Sequence, residues 1–270
     1  MSTPLPPWTI KGPRLAPFNG KLDNIQFKKV LSDDVVEIST GEIPHSRVFQ
    51  VSIEGKVFAL KVFNFFSIQE IWPVVIGKNH LLKKNVVRHH LDPFYAECRA
   101  FGLLVENKKD DKLAVRCYGY AFLPHAVEHQ IKQQFGITDW NRKAEDEGSP
   151  LRAIVKDYIR WKTLRGRKSF KTMRKNLEEI NYLGVYNMDI RRDNYLGGRL
   201  FDFSIAATVP HLSFWLRLQC RDRIIEDMED DLACFDEMVE DAKEEEAQSV
   251  PNQSLSWKQR TRAGAKLQES

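Results

Sequence analysis

The chain is poor in the features that most often fix a function alone. It has four cysteines, Cys98, Cys117, Cys220 and Cys234, and no Cys-x-x-Cys pair, so neither a zinc site nor a disulfide framework is indicated. No apolar run approaches the length of a membrane span. Prolines occupy the stretch Met1 to Gly20, where a secretory leader would carry its apolar segment, so the expectation is an intracellular protein without a membrane span. No internal repeat is visible. A net charge of +4 is too small to imply nucleic acid by itself. What remains is ordinary globular composition, 42% hydrophobic and 29% charged, over 270 residues. That length allows one large domain or two lobes sharing a cleft.

The pattern divides the chain into a Pro-rich extended arm at residues 1–24, a folded region at 25–247 and a polar tail expected to be disordered at 248–270. Val48 to Ile53 and Val57 to Phe63 read as two strands joined at Glu54-Gly55-Lys56. Lys61 is the single cation inside an apolar strand, which means either an edge position where it snorkels or a buried anion that it meets. Asp92-Pro93 marks a helix start. On that helix Glu97 lies beside the apolar stripe formed by Phe94, Cys98 and Phe101, either pointing into a cleft toward Lys61 or solvated. Leu113 to Leu123 reads as a strand. His125 and His129 stand one helical turn apart without a further ligand, which favours a surface helix over a metal site. Leu151 to Ile159 is a further strand whose polar exit, Lys156-Asp157, suits a linker between lobes.

Between Arg160 and Lys175 the sequence places eight cations in sixteen residues, a candidate import signal, nucleic-acid patch or contact for an acidic partner, or simply a solvated face. Met173, Leu177, Ile180 and Leu183 continue it as a helix, ended by Gly184. Beyond residue 220, twelve acids between Glu226 and Glu246 surround a stripe at Ile225, Met228, Leu232, Phe235, Val239 and Ala242. That helix either packs on its own domain or meets a partner helix.

The stretch with most chemistry is Tyr186 to Ser204. Asp189 precedes Asn194 by five residues, and Gly197-Gly198 between Tyr195-Leu196 and Arg199-Leu200 predicts a two-residue hairpin that returns Asp202 beside Asn194. Two carboxylates and a carboxamide so disposed suit phosphoryl transfer. One carboxylate would receive the proton of an attacking hydroxyl, and the carboxamide oxygen and second carboxylate would hold Mg2+.

Lys61 in Phe-Ala-Leu-Lys, Glu97 on the next long helix, Asp189 with Asn194, and Asp202 in Asp-Phe-Ser together resemble the protein-kinase fold across roughly Phe27 to Phe214. The resemblance implies an α+β, kinase-like two-lobe fold, with a small mainly β lobe at 25–158 and a reduced helical large lobe at 159–247. It implies ATP and Mg2+ as cofactors. Lys61 would hold phosphates and be oriented by Glu97, and Gly41 would belong to the loop over the nucleotide. Lys156 to Tyr158 would present backbone to adenine. Asp189 would be the catalytic base with Arg191 in place of the usual catalytic-loop lysine, and Asn194 and Asp202 would bind the metal.

The sequence departs from that pattern at several points. Only Gly41 of the three loop glycines is present, with Ile43 and Ser46 in the other places. Asn187-Met188 replaces the His-Arg before the catalytic Asp, Ser204 replaces the glycine after Asp202-Phe203, and no Ala-Pro-Glu follows. Gly-Pro-Arg-Leu-Ala-Pro-Phe at Gly12 to Phe18, Ala-Leu-Lys-Val-Phe, Asp-Pro-Phe-Tyr-Ala-Glu-Cys-Arg-Ala-Phe and Asp-Ile-Arg-Arg-Asp-Asn-Tyr look like the fungal kinase-like proteins grouped with an inner-kinetochore subunit of the Sim-four complex. That resemblance implies a nuclear, centromere-associated role in a protein complex. The expectation is therefore an ATP- and Mg-binding kinase-like protein. The alternatives are a pseudokinase interaction module and, third, a small-molecule phosphotransferase.

Overall fold

The computed structural model describes residues 14–32, 45–68, 84–160, 164, 169–212 and 221–249; within 221–228 it describes backbone only. Five strands, β1 (Gln26–Val30), β2 (Ser46–Ile53), β3 (Lys56–Phe63), β4 (Cys117–Leu123) and β5 (Leu151–Asp157), form an antiparallel sheet in the order β1-β2-β3-β5-β4. The β2–β3 hairpin closes through Glu54 and Gly55, with φ of 49° and 80°, the left-handed pair whose twist matches that of the flanking strands. β3 lies in the middle of the sheet. Its second half is buried on both faces, which explains why Val-Phe-Ala-Leu-Lys-Val-Phe is nearly continuous in apolar residues rather than alternating.

Among the described residues six helices complete the α+β architecture: α1 (Lys84–Leu91), α2 (Pro93–Glu106), α3 (Asp110–Leu113), α4 (His125–Phe135), α5 (Phe170–Tyr182) and α6 (Arg221–Ser249). α2 begins where expected. The Asp92 carboxylate accepts from the Phe94 amide and Pro93 occupies the first turn, where its missing N–H costs nothing. α5 begins at Ser169, whose hydroxyl accepts from the Thr172 amide, and gives way at Gly184, with φ of 88°. Two short ladders follow, β6 (Val185–Tyr186) with β9 (Ala207–Thr208) and β7 (Tyr195–Leu196) with β8 (Arg199–Leu200).

The core forms two clusters, one on each face of the sheet. On one face Phe49, Val51, Leu60, Val62, Val127, Ile131 and Trp140 pack together, with α4 as the cover. On the other, Phe94, Phe101 and Leu104 of α2 share one cluster with Met173, Leu177 and Ile180 of α5 and Phe235, Met238 and Val239 of α6. α2 thus joins residues from both expected lobes. The stripe of α6 is spent inside the molecule against α5, so in its described part it is not a free face for a partner helix. Ile225 and Met228 fall where side chains are not described.

Two expectations are corrected. The extended arm is part of the folded region from Arg14 onward: Leu15 is buried, and Pro17 bridges Tyr120 in parallel. Phe18 donates to the Tyr120 carbonyl at 2.8 Å and Tyr120 donates to that of Ala16 at 3.1 Å. This segment covers β4, the sheet's outer strand, whose polar backbone groups would otherwise face water. Residues 1–13, and the tail from 250 on, lie outside the described residues. Leu113 to Leu123 is also not one strand. Asp110 and Asp111 favour a helical first turn, so α3 ends at Leu113 and pairing in the sheet begins only at Cys117.

Candidate functional site

The site forms where β3, α2, β5 and the segment 186–204 meet. Lys61, from the middle strand, is 1% exposed, and its Nζ lies 2.7 Å from Glu97 Oε2 and 2.7 Å from Asp202 Oδ2. Glu97 is fully buried. The edge reading of Lys61 and the solvated reading of Glu97 are therefore both overturned: a buried ammonium and carboxylate meet because each alone would carry an uncompensated desolvation cost.

A second lysine joins them. Lys156 is 3% exposed, and its Nζ donates to Glu97 Oε1 at 2.7 Å and to the Phe201 carbonyl at 2.8 Å. The expected role of Lys156 as a backbone hinge does not fit this placement. The residue sits inside β5 between Ala59 and Cys117, and the next amide, of Asp157, donates to the Arg116 carbonyl at 2.9 Å. Tyr158, just past the strand, is the part of that stretch not built into the sheet. Asp157 is likewise no loose linker, because its Oδ1 accepts from the Tyr118 hydroxyl at 2.6 Å.

Asp202 is held at both oxygens, Oδ2 by Lys61 and Oδ1 by the Ser204 amide at 2.8 Å. Burial works to raise its carboxyl, but the ammonium of Lys61, then that of Lys156, and the hydrogen bonds to it hold it well below the usual carboxylate range. Burial likewise works against the charged form of Lys61, yet Asp202 and Glu97 keep its ammonium above the ordinary lysine value.

The loop around Asp189 is built from carboxamides. Asn194 donates from Nδ2 to the Asp189 carbonyl at 2.7 Å and to Asp189 Oδ2 at 2.8 Å, which commits its amide nitrogen to Asp189 and leaves the side-chain oxygen as its acceptor. Asn187 receives the Asp189 amide at 3.1 Å and donates to the Asp202 carbonyl at 2.7 Å, tying the two carboxylate-bearing loops together. Arg191 Nε stands 3.4 Å from Asp189 Oδ2, with both side chains partly open to solvent. The hairpin is as expected: Gly197 and Gly198 have φ of 58° and 74°, and Tyr195 faces Leu200. It carries the chain from Asn194 to Asp202.

One contributor was not found from sequence. Asp231 on α6, 3% exposed, accepts the Asn187 amide at 2.8 Å on Oδ2 and the Met188 amide at 2.9 Å on Oδ1. Met188 is a non-glycine residue at φ of 65°, a conformation that costs about 1–2 kcal/mol. The Asp231 clamp offsets that strain. The signal was present only as an acid flanking the apolar stripe of α6, indistinguishable in sequence from its solvated neighbours. Gly41 and Ile43 lie outside the described residues, as do residues 161–163 and 165–168 of the basic segment. Of that segment's described cations, Arg174 pairs through two nitrogens with Asp236 of α6, at 2.8 and 3.0 Å, so part of the basic face is answered within the chain. At α4, Glu128 is taken by Arg142 at 2.9 and 3.1 Å. No metal-binding cluster occurs among the described residues.

An asparagine oxygen and a carboxylate are hard donors, of the kind Mg2+ accepts when phosphate oxygens and water complete its shell. The donor types therefore suit Mg2+. Fold and site define an α+β protein in which an antiparallel sheet and a carboxamide-braced loop enclose a lysine–carboxylate network. The family model of the kinetochore Sim4 complex subunit FTA2 matches residues 1–207, and the chain belongs to that family. Membership supports a kinetochore-associated role and, at that coarse level, a nuclear protein working within a protein complex. No individually curated protein matches the sequence. The matched span contains every sequence-predicted site residue and ends before α6 and Asp231. Among the described residues no helix is long and apolar enough to cross a membrane.

Proposed function

We propose that this kinetochore-family subunit is kinase-like and binds ATP with Mg2+ at the Lys61–Glu97–Asp202 cluster, with a capacity for slow phosphoryl transfer. The observation that carries the reading is the Lys61 ammonium held between Glu97 and Asp202, beside a loop that sets Asn194 five residues after Asp189. The strand order β1-β2-β3-β5-β4, with Lys61 on β3 and Glu97 on α2, supports the kinase-like arrangement. Lys61 would exchange Asp202 for phosphate oxygens while keeping Glu97. Asn194 and Asp202 would hold the metal, which supplies charge neutralisation at the phosphates when bound. Asp189, a third exposed, would accept the proton of the attacking hydroxyl, and Arg191 beside it would favour the anionic transition state.

Thermal unfolding with ATP and Mg2+ tests the reading, because a ligand that binds only the folded state must raise stability by mass action. The expected result is a shift for the wild type that is lost in Asp202→Ala. No shift at about millimolar ATP would sink it. A phosphate-release assay on Asp189→Asn then separates enzyme from binding module: transfer at the wild-type rate removes Asp189 from the base role.

A second reading, a pseudokinase module within the assembly, is favoured by the loop sequence, where Ile43 and Ser46 replace glycines that let backbone amides approach phosphate closely. Binding without transfer would select it.

A further inference from the structure

We propose that Lys156 is a positioning residue that keeps the site assembled when no nucleotide or metal is present and keeps Glu97 neutralised when Lys61 turns to phosphate; this rests on the nucleotide reading above. Lys156 comes from β5, Glu97 from α2 and Phe201 from the segment that leads into Asp202, so one ammonium ties three separate elements. Two of its protons are taken, by Glu97 Oε1 at 2.7 Å and the Phe201 carbonyl at 2.8 Å. The Phe101 ring centre lies 5.5 Å from the nitrogen, within cation–π range.

The charges explain why a second lysine is there. Glu97 is fully buried, and with Lys61 as sole partner it would be stranded whenever Lys61 moved toward a phosphate. With Lys156 on its other oxygen, Glu97 stays paired on one side throughout. In the described state the two ammonium groups balance Glu97 and Asp202, so the cluster is neutral without any ligand. Without Lys156 the cluster would hold two carboxylates against one ammonium, and removing one partner from a buried charged network leaves a charge uncompensated. The ammonium is also the donor that fixes the Phe201 carbonyl, one residue before the candidate metal ligand. Asp202 is then oriented from its own backbone as well as through Lys61 and Ser204.

The test uses the full chain and Lys156→Met, which preserves length and bulk and removes only the charge and donors. Backbone hydrogen exchange is measured on the ligand-free protein, and ATP–Mg2+ affinity by titration. The expected result is exchange at Phe201 to Ile205 faster by about tenfold or more, with the strand core Ala153 to Val155 unchanged. ATP–Mg2+ binding should weaken by about tenfold or more. A space-filling residue would move neither readout, so exchange and affinity within about twofold of wild type overturn the proposal. Should Lys156→Met fail to fold, Lys156→Gln, which keeps a donor for the Phe201 carbonyl but no charge, is read for affinity by the same criterion. Wild-type protein that binds no ATP sinks the nucleotide reading alone, since the exchange arm judges Lys156 without ligand.

Discussion

At the scale of single residues, the two halves of the buried network are unequal. Glu97 pairs with two ammonium groups, whereas the loss of either lysine leaves Glu97 paired with the other. Glu97→Gln is therefore expected to cost more than Lys61→Met, with about 3–5 kcal/mol as the scale of breaking a buried pair. Urea unfolding of the two variants checks the order, and the reverse order would mean that Asp202 rather than Glu97 is the main partner of Lys61. The acid limb of stability has two sources. Asp202 titrates well below its ordinary 3.8 in the folded protein, so its contribution is present above that value and is lost as pH falls through it. His211 acts earlier. Burial, then Arg99 and His90, hold its imidazole well below 6.5, while its hydrogen bond to the His90 carbonyl works weakly the other way. The folded protein then binds fewer protons than the unfolded chain, and stability falls as pH drops through 6.5. Urea midpoints at about pH 7.5 and 5.5 should differ in the wild type and differ less in His211→Asn, which keeps a donor without an ionisable ring.

At the scale of elements, close backbone approaches explain glycines that have no meaning in the sequence alone. A Cβ on Gly102 of α2 would stand 2.8 Å from the Leu15 nitrogen, and one on Gly119 of β4 would stand 2.6 Å from the Phe18 nitrogen, where φ is also 137°. Both glycines let residues 14–18 lie against α2 and β4. Gly119→Ala is expected to push the arm off β4 and leave the peptide bond after Arg14 open to trypsin, read as faster cleavage of the native protein with the rest of the chain intact. Cleavage at the wild-type rate would show that the arm docks without Gly119. The hairpin turn behaves differently, because Gly197 has little around it but a positive φ. Gly197→Ala should cost about 1 kcal/mol by chemical denaturation, from backbone conformation alone.

At the scale of the molecule, the loop that carries Asp189 depends on a helix more than thirty residues further on. Asp231→Ala leaves the buried Asn187 amide without its acceptor, at about 1–3 kcal/mol, and the part-buried Met188 amide without its own at a smaller cost. It should abolish ATP stabilisation while α6 stays helical by circular dichroism, since Phe235, Met238 and Val239 still pack against α5. Undiminished ATP stabilisation would show that α6 supports the fold but not the site.

The sequence by itself determined the local elements. The β2–β3 hairpin, the capped start of α2, the end of α5 at Gly184 and the Gly197-Gly198 turn follow from periodicity, caps and positive-φ residues, all of which act within a few positions of the chain. It also brought Lys61 and Glu97 forward as candidates, because a charge in or beside an apolar pattern is costly wherever it ends up, and Asp202 through the hairpin that returns it beside Asn194. Tertiary structure alone decided the partners. Lys156 read as the polar end of a strand, Asp231 as one acid among twelve, and residues 14–18 as part of an extended arm outside the folded region. Their roles arise from contacts across the sheet and between β5, α2 and α6, and a burial cost shows in sequence while the identity of the group that offsets it is a property of the fold.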